Sequence, residues 1–264
     1  MPTVSLGDAD IYYEEKGQGP PLMLVPGLVG TGSFFISQVP EFSRDFRTIV
    51  HDHRGAGRSS YSRIRYSVEQ MADDTLRLMD ALGVDAAHFL GHSTGGAIGQ
   101  VIATDHPDRL RSLVLSATWA GPDAYFRRLF ESRKQALLDS GIEAYLRLSA
   151  LVQATPRWVS ENDEFITELH RVAAAGYPPV EIVASRIDAI LGHDRRRRLL
   201  QIRVPTLVIV ARDDMITPSF YSEELASAIP GAKLVVLDGG GHFAPAIHAT
   251  PYNAAVGAFL RALR

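Results

Sequence analysis

Short apolar runs rich in β-branched residues alternate with amphipathic stretches along most of the chain, and this alternation constrains the fold more than any other feature. It predicts strands alternating with helices and a mostly parallel sheet. The runs Thr3 to Leu6 and Ile11 to Glu15, joined by Gly7-Asp8, read as an antiparallel hairpin at the start. Pro21 to Pro26, Arg47 to Asp52, Ala87 to Leu90 and Leu110 to Ala117 read as central strands, and Thr206 to Ala211 and Lys233 to Leu237 resume the pattern later. Between them, Ser67 to Leu82 places Val68, Met71, Ala72, Thr75, Leu76, Met79 and Leu82 at helical spacing, and Gly83 stops that helix. Helices are also expected over 94–105, 219–228 and 251–263. From about Trp119 to Leu200 the strand signal disappears. Helically spaced arginine, leucine and alanine, divided by Pro122, Gly141, Pro156, Gly176 and Pro178-Pro179, predict about four helical pieces. The expected architecture is therefore an α/β core of residues 1–118 and 201–264, its central sheet flanked by helices, interrupted once by a helical cap over 119–200.

Composition narrows the function classes. Twenty-seven Lys+Arg against 30 Asp+Glu leave no basic excess to neutralise a row of phosphates, which argues against a nucleic-acid partner. The one basic run, Arg195 to Arg198, reads as a solvated helix end or linker. With no cysteine, disulfides, thiolate metal sites and a cysteine nucleophile are excluded. No apolar run approaches a membrane span, and the alternating start of the chain is unlike a signal peptide, so a cytoplasmic location is the default expectation. A homo-oligomer is compatible with the sequence.

Chemistry concentrates at Gly91-His92-Ser93-Thr94-Gly95, which lies between a predicted strand and a predicted helix. A serine on such a sharp turn exposes its hydroxyl, and glycines two positions to either side let strand and helix pass without Cβ clashes. A hydroxyl attacks only when a base takes its proton, and the base needs a carboxylate to fix its tautomer. His242 in Gly239-Gly240-Gly241-His242-Phe243 follows the last predicted strand, while Asp213 and Asp214 follow Thr206 to Ala211. The idle alternatives are a glycine-rich turn at Ser93, a loop histidine at 242 and turn-stabilising aspartates. Gly27, Gly30 and Gly32 lack the spacing and the lysine of a phosphate loop. His51 and His53 match a structural loop better than a metal pair, and His248 reads as a surface residue.

The whole chain resembles the α/β-hydrolase superfamily through Gly27-Leu28, Asp52-His53-Arg54-Gly55-Ala56-Gly57-Arg58-Ser59, the elbow at Ser93, Asp214-x-x-x-Pro218 and Gly241-His242. The order serine, acid, histidine is the one associated with that arrangement. The resemblance implies a triad of Ser93, His242 and Asp214, with Asp213 the lesser candidate for the acid. It also implies an oxyanion hole formed by the backbone N–H groups of Leu28 and Thr94. Many relatives have His-Gly where this chain has Pro26-Gly27, which removes a side chain that can brace the oxyanion loop. Gly27 to Ser33, Gln38, Tyr66 to Met71 and the segment Trp119 to Tyr145 resemble the aminoacrylate hydrolases of pyrimidine degradation, with the 3-oxoadipate enol-lactonases next.

The expected function is a serine hydrolase that needs no cofactor or metal and cleaves a small or medium carboxylic ester or lactone. C–N bond hydrolysis of an enamine or amide is the alternative. A ligand receptor, or a cofactor-free oxygenase or perhydrolase on the same fold, is the competing class. Trp119, Phe126 and Phe130 are expected to wall the substrate pocket, with Tyr125, Tyr145 and Trp158 as further aromatic candidates; simple cap packing is the alternative for each. Cap arginines are offset by cap acids, so composition does not demand an anionic substrate.

Overall fold

A computed structural model describes residues 2–263. Met1 and Arg264, the outer ends of the two expected core segments, lie outside the described residues. Eight strands form one sheet in the order β1-β2-β4-β3-β5-β6-β7-β8. They are β1 (Thr3–Ser5), β2 (Asp10–Lys16), β3 (Pro21–Val25), β4 (Arg47–His51), β5 (Ala87–His92), β6 (Leu110–Ser116), β7 (Thr206–Ala211) and β8 (Lys233–Leu237). β1 pairs antiparallel with β2, and β2 with β4, whereas every pair from β4 to β8 is parallel. All residues of β5 and β7 are buried, as strands covered by helices on both faces must be.

The helices are α1 (Val39–Phe42), α2 (Val68–Ala81), α3 (Thr94–Asp105), α4 (Ala124–Gln153), α5 (Pro156–Glu161), α6 (Asp163–Ala175), α7 (Val180–Gly192), α8 (Ser219–Ala228), α9 (Ala244–Ile247) and α10 (Ala249–Arg261). The Ser67 side chain caps α2 by accepting the Gln70 N–H at 3.0 Å, and the buried face of α2 carries Val68, Met71, Ala72, Thr75, Leu76 and Met79 as read from the sequence, while Leu82 is the half-buried residue just past its end. α1 and α9 are four residues each, too short for a periodic signal. α10 begins two residues earlier than expected. Two apolar clusters cover opposite faces of the sheet, one under α2, α3 and α8, the other under α10.

Strands stop at Ser116 and resume at Thr206, and α4 to α7 occupy the interval. Gly141, at φ 79° and ψ −173°, breaks α4 in two. The basic run that follows this block is not solvated as expected. Arg195 keeps only 9% of its side chain exposed and reaches Glu69 at 2.9 Å and Asp105 at 3.0 Å, while Arg196 meets Glu224 at 2.7 Å. Only Arg197 is left exposed in this run. The acids sit on α2, α3 and α8, far away in sequence, so a local charge pattern could not reveal the pairing.

Burial pushes the Glu69 and Asp105 carboxyls up, but hydrogen bonds and the Arg195 charge outweigh it and hold both below their ordinary values. A depressed carboxylate stabilises the fold above its unfolded pKa and loses that contribution as pH falls through the folded one. Arg195→Ala is therefore expected to cost ~1–2 kcal/mol at pH 7. The gap between variant and wild type in urea denaturation should narrow once pH drops below the ordinary carboxylate values of 4.5 and 3.8. A pH-independent gap would show that Arg195 acts through packing alone.

Candidate active site

The strand order reverses between β3 and β5, and in open α/β sheets the crevice at the carboxyl ends of such strands is where ligands bind. Ser93 is the single residue between β5 and α3, and its backbone is held at φ 55° and ψ −116°. Its N–H donates to Ser116 O at 2.8 Å, and its carbonyl accepts from Thr118 Oγ1 at 2.8 Å and from the Gly96 N–H at 2.9 Å. A Cβ on Gly91 would strike the Gly95 backbone, and one on Gly95 would strike the Val25 carbonyl. The glycine spacing is thus a requirement of three backbones meeting. Among the described residues the non-glycine positions at positive φ are Val29, Ser93 and Ala117, which follow the adjacent strands β3, β5 and β6. Such strain costs ~1–3 kcal/mol per residue and collects at functional sites.

The loop after β3 lies against the serine. A Cβ on Gly27 would stand 3.2 Å from Ser93 Cβ and 3.6 Å from Ser93 Oγ. This brings the segment bearing Leu28 to the hydroxyl. Thr94 opens α3, so its N–H has no acceptor within the helix. The brace missing with Pro26 comes from another loop, because His53 Nε2 donates to Pro26 O at 3.0 Å. Asp52 adds to it by accepting the Gly32 N–H at 2.9 Å and Arg58 Nε at 2.8 Å.

Asp214 is buried where the chain leaves β7. Its Oδ1 accepts the N–H groups of Ile216 at 2.8 Å and Thr217 at 2.9 Å; its Oδ2 accepts Thr217 Oγ1 at 2.9 Å and His242 Nδ1 at 2.8 Å. With Nδ1 committed as donor, the lone pair of His242 is on Nε2. Asp213 is exposed and instead accepts the Gly241 N–H at 2.9 Å, holding the loop that carries the histidine. The C-terminal end of α4 fastens that loop too, since the Phe243 N–H donates to Gln153 O at 3.0 Å.

Other imidazoles stand near without competing. His92, beside Ser93, stacks on Phe34 at 4.6 Å and lies 4.8 Å from the His242 ring. Burial holds His92 and His53 well below the usual histidine range and brings His51 to about 4, so all three are neutral at pH 7. His51 and His53 meet edge to face at 5.1 Å, and among the described residues no group of three His, Cys, Asp or Glu is placed to hold a metal ion. His248 is exposed. No helix among the described residues is long and apolar enough to cross a membrane.

Residues 20–159 and 177–249 match the family described as the alpha/beta hydrolase fold. The chain belongs to that family. A protein of Azorhizobium caulinodans provisionally named carbamate hydrolase RutD is 40% identical over 253 residues, covering 96% of each chain. The enol-lactonase of Burkholderia xenovorans LB400 superposes with a TM-score of 0.91 at 28% identity, covering 98% of this chain and all of that one. A thermophilic esterase from Thermogutta terrifontis, solved with malate bound, gives 0.87 at 27% identity over 98% and 96%.

In this hydrolase-fold chain the three aromatics expected to wall a pocket form one row. Trp119 follows Thr118, the residue bonded to Ser93 O; its ring meets Phe126 at 4.6 Å, and Phe126 meets Phe130 at 4.5 Å. All three are buried, with Tyr221 and His193 against the row. Tyr125, by contrast, is exposed and donates to Met215 O. Sequence reading missed Thr217, although it stands inside a motif it used, Asp214-x-x-x-Pro218, and it gave His53 a structural place without its partner, the Pro26 carbonyl.

Proposed function

We propose that the chain is a serine hydrolase acting on a carboxylic ester or lactone through an acyl-enzyme. The observations that carry this reading are the 2.8 Å hydrogen bond from His242 Nδ1 to the buried Asp214 carboxylate and the 4.8 Å between the rings of His242 and His92, the residue before a serine held at positive φ. In this mechanism Ser93 Oγ attacks the acyl carbonyl as His242 Nε2 takes its proton. Asp214 holds the tautomer and stabilises the imidazolium, and the N–H groups of Leu28 and Thr94 receive the oxyanion. Collapse of the tetrahedral intermediate breaks the bond to the leaving group, which takes the proton from His242. Water, deprotonated by the same nitrogen, then attacks the acyl-serine and releases the acid.

A second reading is cleavage of a C–N bond in a carbamate, enamine or amide, favoured by the name of the relative that is 40% identical. The catalytic groups would be the same, with an amine leaving. Labelling by a fluorophosphonate at Ser93, followed by rates on p-nitrophenyl esters, lactones and amides of rising length, tests both readings. No labelling and no turnover would favour a receptor or cofactor-free oxygenase on this fold.

Trp119, Phe126 and Phe130 are assigned to the acyl pocket wall because their row runs from the elbow into the cap. Phe130→Leu is expected to change KM and the preferred acyl length by ~10-fold or more. The pH dependence of kcat/KM should stay as in wild type. An unchanged length profile in a folded variant would place the wall elsewhere.

A further inference from the structure

Asp214 holds the His242 ring by one atom, Nδ1, at 2.8 Å. A ring pinned at one corner can still swing its far nitrogen, so that bond alone does not set the distance from Nε2 to the serine. Displacing a catalytic group by about 1 Å can cost on the order of 100-fold in rate. A second hold on the ring is needed.

The rings packed beside His242 provide one, because they close a circuit. His242 lies 4.8 Å from His92, His92 stacks on Phe34 at 4.6 Å and 25°, Phe34 meets Phe243 edge to face at 5.6 Å, and Phe243 returns to His242 at 6.2 Å. The circuit joins three segments of the site. Phe34 is in the segment after β3 that also bears Leu28, His92 is the last residue of β5, and His242 and Phe243 stand in the loop after β8. His92 is 1% exposed, and its Nδ1 lies 3.2 Å from Ser116 Oγ, on the residue paired with it in β6. Its Nε2 has no hydrogen-bond partner among the described residues, so it meets His242 as a ring and not through a shared proton. Phe34 is backed by the buried Phe35 at 5.1 Å. Gln38 then ties the same segment to the residues beyond the histidine, with Nε2 donating to Pro245 O at 2.7 Å and Asn253 Oδ1 at 2.9 Å.

We infer that His92 and Phe34 are positioning residues, whose stacked rings set where the His242 ring stands relative to Ser93. The inference rests on the hydrolase reading above. His92 is joined to Ser93 by a peptide bond, so contact between the two imidazoles places the base against the strand end that carries the nucleophile. Phe34 keeps the His92 ring from turning away, and Phe243 closes the circuit from the residue after the base. The arrangement also suits the charge that appears on His242 when Ser93 gives up its proton. Burial keeps His92 neutral, so no like charge stands beside that imidazolium.

The test measures kcat, KM and the rate of fluorophosphonate labelling for His92→Ala, His92→Phe, Phe34→Leu and the double variant of Phe34→Leu with His92→Ala, on the p-nitrophenyl ester that wild type turns over fastest. Rates are counted per serine that labels to completion, which leaves unfolded molecules out. His92→Ala should lower kcat and the labelling rate together by about 10- to 100-fold, with KM within about 3-fold of wild type. His92→Phe returns a ring to the stack and should recover most of both. Phe34→Leu keeps the apolar bulk and should cost about 3- to 10-fold in kcat, the scale of one aromatic pair. The double variant should lose less than the product of the two single losses, since both act through one circuit. Wild-type kcat and labelling in His92→Ala, a loss confined to KM, no recovery in His92→Phe, or losses that multiply would each overturn the positioning role and leave the hydrolase reading intact. If His92→Ala does not fold, Phe34→Leu at a half-buried position decides: a lower kcat at constant KM supports the role, and an unchanged kcat overturns it. No turnover of any ester and no label at Ser93 in wild type would overturn the hydrolase reading itself.

Discussion

Ser93→Ala should bring ester turnover to background, a loss of ~10⁴ to 10⁶ in kcat if the serine is the nucleophile. The fold should survive. The bonds that hold the turn involve the backbone of Ser93, not its hydroxyl, with Ser116 O, Thr118 Oγ1 and the Gly96 N–H as partners. Alanine keeps the Cβ and is no larger, so the strain at φ 55° is not increased. The thermal midpoint should stay within a few degrees of wild type, and labelling by a fluorophosphonate should disappear. A variant that keeps more than about a tenth of wild-type kcat would show that another group attacks the carbonyl.

The fold was legible in the sequence because its central strands, β3 to β7, are almost wholly buried and amphipathic helices such as α2 bury one face. Periodicity therefore changes from an unbroken apolar run to a 3.6-residue repeat wherever the element changes. β7 and β8 begin and end where the apolar runs do, and so does α3. β5 runs two residues beyond its apolar part, through Gly91 and His92, because the elbow must be carried to the end of the strand. Ser93 and the hydrogen-bonded pair His242 and Asp214 were singled out for a related reason, since each follows a strand and has a glycine or proline within four residues.

Contacts between residues distant in sequence were hidden. The Arg195 run looks solvated because its acids lie on α2 and α3, and His53 reads only as structural, without a partner, because the carbonyl it braces belongs to another loop. The charges of the helical block α4 to α7 were hidden more deeply. Counting arginines against acids averages over the whole block, whereas Lys134 meets Asp188 at 2.6 Å and Arg171 meets Glu168 at 2.7 Å near the surface. Those pairs consume the acids, and Arg133 and Arg186 are left inside with neutral acceptors. A balanced composition thus contains an unbalanced interior.

The neighbouring aspartates offer the sharpest separation of roles. Asp214→Asn keeps the size of the side chain, but with its oxygen still accepting the Ile216 and Thr217 N–H groups it puts an NH₂ where Oδ2 accepts Thr217 Oγ1 and His242 Nδ1. An amide NH₂ turned toward His242 would force Nδ1 to become the acceptor, leaving Nε2 protonated and unable to take the serine proton. In a well-studied triad the same change cost ~10⁴ in kcat, and a loss on that scale is expected here. Asp213→Asn keeps an amide oxygen able to accept the Gly241 N–H, so the histidine loop should remain in place. Its kcat should fall by no more than about 10-fold, the scale of one exchanged hydrogen bond. Stability also separates the pair. Asp214 is buried and accepts four hydrogen bonds, so its variant should lose ~1–3 kcal/mol in urea unfolding, while that of the exposed Asp213 should lose less. If Asp213→Asn is the crippled enzyme and Asp214→Asn turns over normally, the hydrogen bond between His242 and Asp214 is structural and the acid of the triad has been misassigned.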